Sequence, residues 1–311
     1  MNEARIILGM DIGGTNVRSG FVDSANRVTD FAIRKTADIF TGDSPQNLVD
    51  YVAGLLKNRK EPPLAVSIGL PSTVDRTNRI VYSTPNIKGL DNVDIASRIE
   101  AACHIPVYVV RDVCLLLLYD IHYHHLKKDG FILGFYIGTG LGNAICMNGE
   151  LVVGKNGVAG ELGHIPVVGK TGICGCGNQG CIELYASGKR LTEIRDAGFP
   201  NQSIKDILVN HSSDTVIEEF IDTIAIAIAS EITILDPEEV ILGGGVIMQD
   251  DFPRDKLEGA IKRHARKPYP ANNLNFIYTK ESNENGVIGA GIFGLQKISA
   301  RRNSADLRSG V

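Results

Sequence analysis

Short apolar runs that end in glycine turns shape the opening of the chain. Residues 6–10 are apolar and lead into the turn at 11–15, and residues 17–22 then alternate between apolar and polar positions. Continuous apolar runs are typical of buried strands, and alternation is typical of half-buried ones. After a turn at 23–26, a third strand is expected over 28–34. The pattern predicts an antiparallel start, unlike the strand-to-helix start of a dinucleotide-binding fold.

Helical and extended patterns follow one another after this start. Apolar positions at helical spacing predict a helix over 44–59, and the apolar run at 64–70 predicts another strand. Residues 106–110 predict a strand that carries Arg111 and Asp112 at its carboxyl end and is followed by a helix.

The last third of the chain has the same mixed character. A long helix is expected near 212–235, and a strand over 239–242 leads into three consecutive glycines. The final helix is expected at about 286–298. The polar residues 300–311 are expected to form a disordered tail.

The opening pattern recurs 125 residues later. Residues 133–140 echo residues 8–15, because each segment is an apolar strand that ends in a turn of glycine and threonine before an alternating strand. Coincidence is the alternative, since strands that end in glycine are common. The context and the chain length favour duplicated domains, with a small domain over 1–115 and a larger one over 116–285.

Composition narrows the functional classes. The chain has 311 residues, of which 43% are hydrophobic and 22% charged, and its net charge is −4. This balance is typical of a globular protein and gives no support to a nucleic-acid or membrane partner. No apolar stretch is long enough to span a bilayer, and the first residues do not resemble a signal peptide. A cytoplasmic protein is therefore expected.

Three glycine turns follow apolar strands and are candidate phosphate sites. Backbone N–H groups in such turns form anion-binding concavities, and threonine hydroxyls add further donors. The sequence contains no P-loop motif, so phosphate would be bound without one. A single glycine turn is usually only a turn, whereas three in a duplicated framework indicate function. The first glycine turn is Gly13-Gly14-Thr15, the second is Gly138-Thr139-Gly140 and the third is Gly243-Gly244-Gly245.

Two carboxylates stand at the carboxyl ends of predicted strands, where open α/β sheets bind their ligands. A carboxylate beside a bound phosphate commonly serves Mg²⁺, directly or through water, which suits Asp11. A second carboxylate can accept the proton of an attacking hydroxyl during phosphoryl transfer, which suits Asp112. Helix capping or a surface turn is the alternative for either residue, and their positions favour function.

One histidine and three cysteines have the spacing of a metal site. The motif His164-x9-Cys174-x-Cys176-x4-Cys181 lies in one glycine-rich loop. One imidazole and three thiolates complete a tetrahedral zinc site with no open position, and such a site is structural. Three reduced thiols in a turn are the alternative, which their density and the intervening glycines make weaker.

Taken together, these motifs resemble the ROK family of bacterial sugar kinases and repressors. The resemblance rests on Asp11-Ile12-Gly13-Gly14-Thr15, on the segment 160–164 and on the cysteine motif with Ile182 and Glu183, and it runs from about residue 5 to 297. It implies an actin-like ATPase (ribonuclease H-like) fold, with two α/β domains around a cleft. ATP and a sugar would bind in that cleft, and the final helix would return to the first domain.

The resemblance also implies roles for individual residues. Asp112 would be the catalytic base that accepts the proton of the sugar hydroxyl. His164 would serve zinc through one ring nitrogen and the sugar through the other. The other hydroxyl ligands would be Asn86, Glu161 and Glu183. The ATP phosphates, with Mg²⁺ near Asp11, would lie against Gly13, Gly14, Thr15, Thr139 and Gly140, and the adenosine near Gly244 and Gly245.

Departures from the family pattern bear on the substrate. Family glucokinases usually have asparagine immediately before the catalytic base, where this chain has Arg111. Ser72 replaces a common glycine. Arg111 and the segment 83–86 are most similar to those of the D-allose kinases within the family. D-Allose differs from glucose at C3, so Arg111 is a candidate reader of the C3 hydroxyl, the alternative being that it only pairs with a nearby carboxylate.

Other functions remain open at the level of sequence. A glucokinase or an N-acetylmannosamine kinase would use the same framework, and a catalytically silent sugar-binding regulator is a third possibility. Repressors of the family carry a DNA-binding domain before the kinase-like part, for which a phosphate turn beginning at Asp11 is expected to leave no room. Dimers are common in the family, so a homodimer is a further expectation.

Overall fold

The computed structural model describes residues 5–57, 59–85 and 87–309. The chain divides into two compact units. Unit 1 comprises residues 1–126, 153–158 and 282–311, and unit 2 comprises residues 127–152 and 159–281.

Unit 1 is built on a five-stranded mixed sheet of order β3-β2-β1-β4-β8 and a small three-stranded sheet of order β5-β6-β7. In the larger sheet, β1 runs antiparallel to β2 and parallel to β4, and β4 runs parallel to β8. The strands are β1 Ile7–Ile12, β2 Asn16–Val22, β3 Val28–Lys35, β4 Ala65–Leu70, β5 Thr73–Val74, β6 Ile80–Ser83, β7 Val93–Asp94 and β8 Val107–Arg111. The helices are α1 Thr36–Ile39, α2 Ser44–Leu56, α3 Ile95–Cys103, α4 Asp112–Tyr123 and α9 Asn285–Ser309.

Unit 2 repeats the sheet of unit 1, with five strands in the order β11-β10-β9-β12-β13. Here β9 is antiparallel to β10 and parallel to β12, as β1 is to β2 and β4. The strands are β9 Phe131–Ile137, β10 Leu141–Met147, β11 Glu150–Leu151, β12 Glu239–Gly243 and β13 Phe276–Tyr278. The helices are α5 Gly188–Gly198, α6 Ile204–Asn210, α7 Thr215–Leu235 and α8 Arg254–His264, with 3₁₀ turns η1 Leu162–His164 and η2 Ile182–Leu184.

Each unit has its own apolar core. In unit 1, Met10 of β1 and Ile68 of β4 are fully buried and belong to one cluster with Leu48 of α2. In unit 2, Phe135 of β9 is buried in one cluster with Ile224 and Ile228 of α7. Because these isoleucines are four residues apart, they lie on one face of α7. This buried face is the apolar stripe that the sequence predicts.

The boundary between the units differs from the sequence expectation. We expected the first domain to end at 115, but α4 belongs wholly to unit 1, which continues to 126. The reason is packing, since α4 lies against α9. Gly289 of α9 allows this close approach, because a Cβ atom there would overlap the backbone of Leu115. Residues 153–158, expected in the second domain, also join unit 1.

The expected disordered tail is also corrected for the residues described. Helix α9 continues through Ser309, beyond the end expected near 298. Between 295 and 309 there is neither glycine nor proline, and alanine, leucine and arginine favour the helix. Residues 310 and 311 lie outside the described residues. Among the described residues, no helix combines the length and the apolar character that a membrane crossing requires.

Candidate active site

The first glycine turn joins β1 to β2 and is held from two sides. The Gly13 N–H donates to the carbonyl of Asn16 at 2.9 Å. Thr36 donates its N–H to the carbonyl of Thr15 at 2.9 Å and its hydroxyl to the carbonyl of Gly13 at 2.6 Å. Gly14 and Thr15 are exposed. The turn is therefore held through the Gly13 N–H and through the carbonyls of Gly13 and Thr15, and its tip at Gly14 and Thr15 is exposed to solvent.

Asp11 lies two residues before this turn, in β1. It pairs in register with Arg18 of β2, whose Nη1 is 3.6 Å from Asp11 Oδ2. The Asp11 side chain is 17% exposed. Burial raises the pKa of Asp11 to about 6, the negative charge of Asp112 adds to the rise, and Arg18 opposes it. This repulsion indicates that Asp11, the predicted Mg²⁺ carboxylate, and Asp112, the predicted catalytic base, lie near one another.

Asp112 is the first residue of α4 and directly follows β8. Its Oδ1 accepts the N–H of Val113 at 2.8 Å. Because β1, β4 and β8 are parallel, Asp11 and Asp112 lie at the carboxyl-end edge of one sheet. Helix capping, the alternative weighed for these residues, does not account for Asp11, which lies within a strand.

Arg111 is the last residue of β8 and is buried, with 7% of its surface exposed. Asn86, the predicted fourth sugar ligand, lies outside the described residues. The segment just before it is anchored, since Ser72 donates its hydroxyl to Thr84 Oγ1 at 3.0 Å and Thr84 donates its N–H to Asp91 Oδ1 at 2.7 Å.

The second glycine turn, in unit 2, joins β9 to β10 as the first turn joins β1 to β2. Gly138 donates its N–H to the carbonyl of Gly140 at 3.0 Å. The start of α5 packs on this turn, because Gly188 N–H donates to Gly138 at 2.8 Å and Lys189 N–H donates to Thr139 at 3.2 Å. Thr139 itself is exposed. A helix N-terminus beside an exposed turn adds positive potential for an anion.

The third glycine turn follows β12 and meets the end of β9. Gly244 has a φ of +88°, and a Cβ atom there would lie 2.5 Å from the backbone nitrogen of Ile137. Glycine is therefore required for this approach. Val246 N–H donates to the carbonyl of Ile137 at 2.9 Å, and Gly245 is exposed. Unit 2 thus brings the second and third turns together, as the parallel pairing of β9 and β12 dictates.

The histidine–cysteine loop has the geometry of a metal centre. One ligand atom from each of His164, Cys174, Cys176 and Cys181 lies within 4.8 Å of the others. His164 Nδ1 is 3.6 Å from Cys174 Sγ, and the Sγ atoms of Cys176 and Cys181 are also 3.6 Å apart. A tetrahedral zinc ion with Zn–S bonds of about 2.3 Å places its ligand atoms about 3.7 Å apart. The four side chains therefore fit zinc.

The predicted sugar ligands of unit 2 lie on or beside two packed 3₁₀ turns. His164 closes η1, and its Nε2 is 3.6 Å from Glu161 Oε2. Its other ring nitrogen, Nδ1, faces the cysteines, so the two nitrogens have the separate surroundings that a dual role needs. Glu183 lies in η2, and its Oε2 accepts the N–H of Leu141 at 2.9 Å.

The predicted residues thus divide between the units. Unit 1 places its predicted carboxylates and the first glycine turn at one sheet edge, together with Arg111. Unit 2 gathers the other two turns and, around η1 and η2, the remaining ligands. The unit 1 set is Asp11, Gly13, Gly14, Thr15, Arg111 and Asp112, and the unit 2 set is Thr139, Gly140, Glu161, His164, Cys174, Cys176, Cys181, Glu183, Gly244 and Gly245.

Sequence reasoning missed two features of these sites. Arg18 follows from the register of the hairpin, because a turn at 13–15 places residue 18 opposite Asp11. The start of α5 carries an N-cap signal, Ser187, whose hydroxyl accepts the N–H of Arg190 at 3.4 Å. Nothing local in the sequence places this helix on the second turn.

The repeated sheet order and the paired glycine turns define an α/β protein of the actin-like ATPase fold. Residues 7–297 match the family model of the ROK family, and the chain belongs to that family.

The chain is similar along most of its length to curated sugar kinases. It is 27% identical to a glucokinase of Halalkalibacterium halodurans over 92% of this chain and 94% of that one. It is 28% identical to an N-acetyl-D-glucosamine kinase of Photobacterium profundum over 93% and 99% of the two chains. Among solved structures, a ROK glucokinase from Streptomyces griseus in complex with glucose and AMPPNP matches with a TM-score of 0.76 and 25% identity, over 94% and 99%.

Proposed function

We propose that this protein is an ATP-dependent hexose kinase that phosphorylates the 6-hydroxyl of its sugar, and that the sugar is D-allose. The observation that carries the kinase function is the group at one sheet edge of unit 1, where Asp11, Asp112 and the first glycine turn occur together. Phosphoryl transfer needs a phosphate cradle, charge stabilisation and a base for the attacking hydroxyl. The relatives named glucokinase and N-acetyl-D-glucosamine kinase support the same reaction class.

Each group of unit 1 has a chemical task in this proposal. Asp112 accepts the proton of the 6-hydroxyl as the oxygen attacks the γ-phosphorus, and its own Oδ1 is already oriented by Val113 N–H. The exposed tip of the first glycine turn binds phosphate oxygens. Mg²⁺ bound with ATP would mask phosphate charge, and Asp11 is the carboxylate that would hold it.

The hydroxyl-binding groups belong mainly to unit 2. A hexose carries no charge, so its affinity must come from hydrogen bonds to its hydroxyls, for which Glu161, His164 and Glu183 provide acceptors and donors. Zinc held by His164 Nδ1 and the three cysteines would fix the imidazole and leave Nε2 for the sugar. Its contribution is structural, because four protein ligands fill its coordination sphere.

The choice of D-allose rests on Arg111. This residue directly precedes the proposed base and is buried. A site that bonds one epimer's hydroxyl through a buried donor discriminates strongly against the other epimer. Glucose is the second candidate, because relatives over the whole chain are named glucokinases.

The test is an ADP-release assay with ATP and Mg²⁺ over D-allose, D-glucose, N-acetylmannosamine and N-acetylglucosamine. The proposal predicts turnover with a hexose and the highest kcat/KM with D-allose. A preference for another sugar would retain the kinase and reject allose. Thermal stabilisation by a sugar without turnover on any of them would identify a silent regulator and contradict the proposal.

A further inference from the structure

Glu183 touches two parts of unit 2 to which we assign different ligands. It lies in η2, two residues after Cys181, and is one of the three proposed hydroxyl ligands of this unit. Its Oε2 also accepts the N–H of Leu141, the residue that follows the second glycine turn, at 2.9 Å. One carboxylate therefore contacts the turn proposed for phosphate and belongs to the set proposed for the sugar.

The hydrogen bond between Leu141 and Glu183 joins two segments that are distant in the chain. Leu141 is the first residue of β10, and it lies 42 positions before Glu183. Gly140 lies so close to Glu183 that an added Cβ atom would overlap Glu183 Oε2. A side chain at position 140 would therefore push the carboxylate away from Leu141.

The neighbouring elements hold Glu183 in this position. Ile182 N–H donates to the carbonyl of Ile165 at 2.9 Å, which ties η2 to the chain just after η1. A Cβ atom on Gly163 would lie 2.8 Å from the carbonyl of Leu141 and 3.4 Å from the Cβ atom of Glu183. Leu141 is therefore enclosed on its carbonyl side by η1 and on its N–H side by Glu183.

We propose that Glu183 is a positioning residue for the second glycine turn, and that it couples sugar binding to nucleotide binding within unit 2. This inference rests on the proposed function, because it assigns the sugar to Glu183 and phosphate to the turn. With Oε2 fixed on Leu141 N–H, a hydroxyl bonded to Oε1 restrains the carboxylate and, through it, the turn. Each ligand then raises the affinity of the other by the same factor, as thermodynamic linkage requires.

The first experiment compares two substitutions of Glu183 in the absence of sugar. Glutamine retains a carbonyl oxygen that can accept the Leu141 N–H, whereas alanine leaves that N–H without its acceptor. We expect Glu183→Gln to bind Mg²⁺–AMPPNP within about twofold of the wild type and Glu183→Ala to bind it at least about tenfold more weakly. Equal affinities of Glu183→Ala and the wild type for the nucleotide would overturn the proposal.

The second experiment compares two glycines of unit 2 in the absence of nucleotide. Gly140→Ala displaces Glu183, whereas a Cβ atom on Gly198, the last residue of α5, would meet nothing within 4 Å. We expect Gly140→Ala to weaken hexose binding at least about fivefold and Gly198→Ala to leave it unchanged. In a Glu183→Ala background, Gly140→Ala should have no further effect. Unchanged hexose binding by Gly140→Ala would overturn the coupling.

Measurements on the wild type distinguish a failure of this inference from a failure of the proposed function on which it rests. If the wild type binds neither a hexose nor the nucleotide, the proposed function fails and the coupling fails with it. If the wild type binds both and phosphorylates the sugar while Gly140→Ala and Glu183→Ala behave like it, only the coupling is wrong. Circular dichroism and zinc content of each variant confirm that the fold and the histidine–cysteine loop are retained.

Discussion

The two glycine hairpins, β1–β2 in unit 1 and β9–β10 in unit 2, have one backbone plan but different chemistry. In both, an antiparallel pair closes on a glycine turn, and the first strand runs parallel to a strand on its other side. In unit 1 a carboxylate, Asp11, is part of the strand itself. At the matching position of unit 2 the residue is Tyr136, and the carboxylate beside the turn is Glu183 from a distant loop.

This difference distinguishes the backbone features that both units share through duplication from the charged groups that each unit has separately. We propose that the hairpin offers backbone donors to an anion in both units, because that property would depend on the turn. The charged groups come from separate additions, which are Asp11 with Arg18 in unit 1 and the histidine–cysteine loop with Glu183 in unit 2. We therefore expect substitutions in unit 1 to affect catalysis most and those in unit 2 to affect sugar binding most.

The largest effect is expected at the proposed base of unit 1. Asp112→Asn removes the proton acceptor and retains its shape, so kcat should fall about 10³-fold while the hexose dissociation constant changes little. Steady-state kinetics and calorimetric titration with the hexose measure the two quantities. A kcat within tenfold of the wild type would exclude Asp112 as the base.

Asp11→Asn, in the first hairpin, should lower the catalytic rate but raise the stability of the folded protein. Loss of the carboxylate that would hold Mg²⁺ should lower kcat about 10²-fold. Burial, reinforced by Asp112, raises the pKa of Asp11 from 3.8 to about 6, so the ionised form costs the folded state about 2–3 kcal/mol above that pH.

That cost disappears as the pH falls from about 6 towards 4, because Asp11 is then protonated in the folded protein. Asp11→Asn should therefore raise the thermal unfolding midpoint at pH 8 and change it little at pH 4. The exposed Asp38 provides a control, and Asp38→Asn should leave the midpoint unchanged at both values. A lower midpoint for Asp11→Asn at pH 8 would contradict the burial penalty.

Substitution of one ligand of the candidate metal site tests the role of the histidine–cysteine loop in unit 2. Cys181→Ser should abolish stoichiometric zinc and weaken hexose binding about 10–100-fold, because His164 and Glu183 lose the support of the loop. Nucleotide turnover at saturating sugar should fall less than in Asp112→Asn. The control is Cys103→Ser, which changes a cysteine of unit 1 outside the loop. Full hexose affinity in zinc-free Cys181→Ser would show that the loop does not support the sugar site.

The smallest effect is expected for substrate choice. Arg111→Asn introduces the amide that family glucokinases usually carry and should lower the ratio of kcat/KM for allose over glucose by about tenfold. Arg111→Lys keeps the charge but not the planar guanidinium, so an intermediate ratio is expected. An unchanged ratio in Arg111→Asn would remove this residue from specificity.

Local patterns predict much of the fold and of the candidate site. The strands of both hairpins follow from apolar runs and alternation, and the glycine turns follow from their composition. The four residues of the candidate metal centre follow from spacing, because Cys174, Cys176 and Cys181 lie within one short loop. These features depend on neighbours in the chain, which is why a single sequence reveals them.

The remaining features depend on contacts between distant segments. The boundary at 126 depends on the packing of α4 against α9, which begins at Asn285. The bond from Leu141 to Glu183 joins residues 42 positions apart. Helix α9 extends beyond its predicted end because the residues of its last turns, although these turns are polar, favour a helix.

Identification of the product tests the proposed reaction most directly. The protein is incubated with ATP, Mg²⁺ and D-allose, and the sugar product is analysed by ³¹P and ¹H NMR. We predict one new phosphomonoester, with its phosphorus coupled to the two protons at C6, and no such product from Asp112→Asn. A phosphate on another carbon, or ADP release without any phosphorylated hexose from the whole sugar panel, would contradict the proposed reaction.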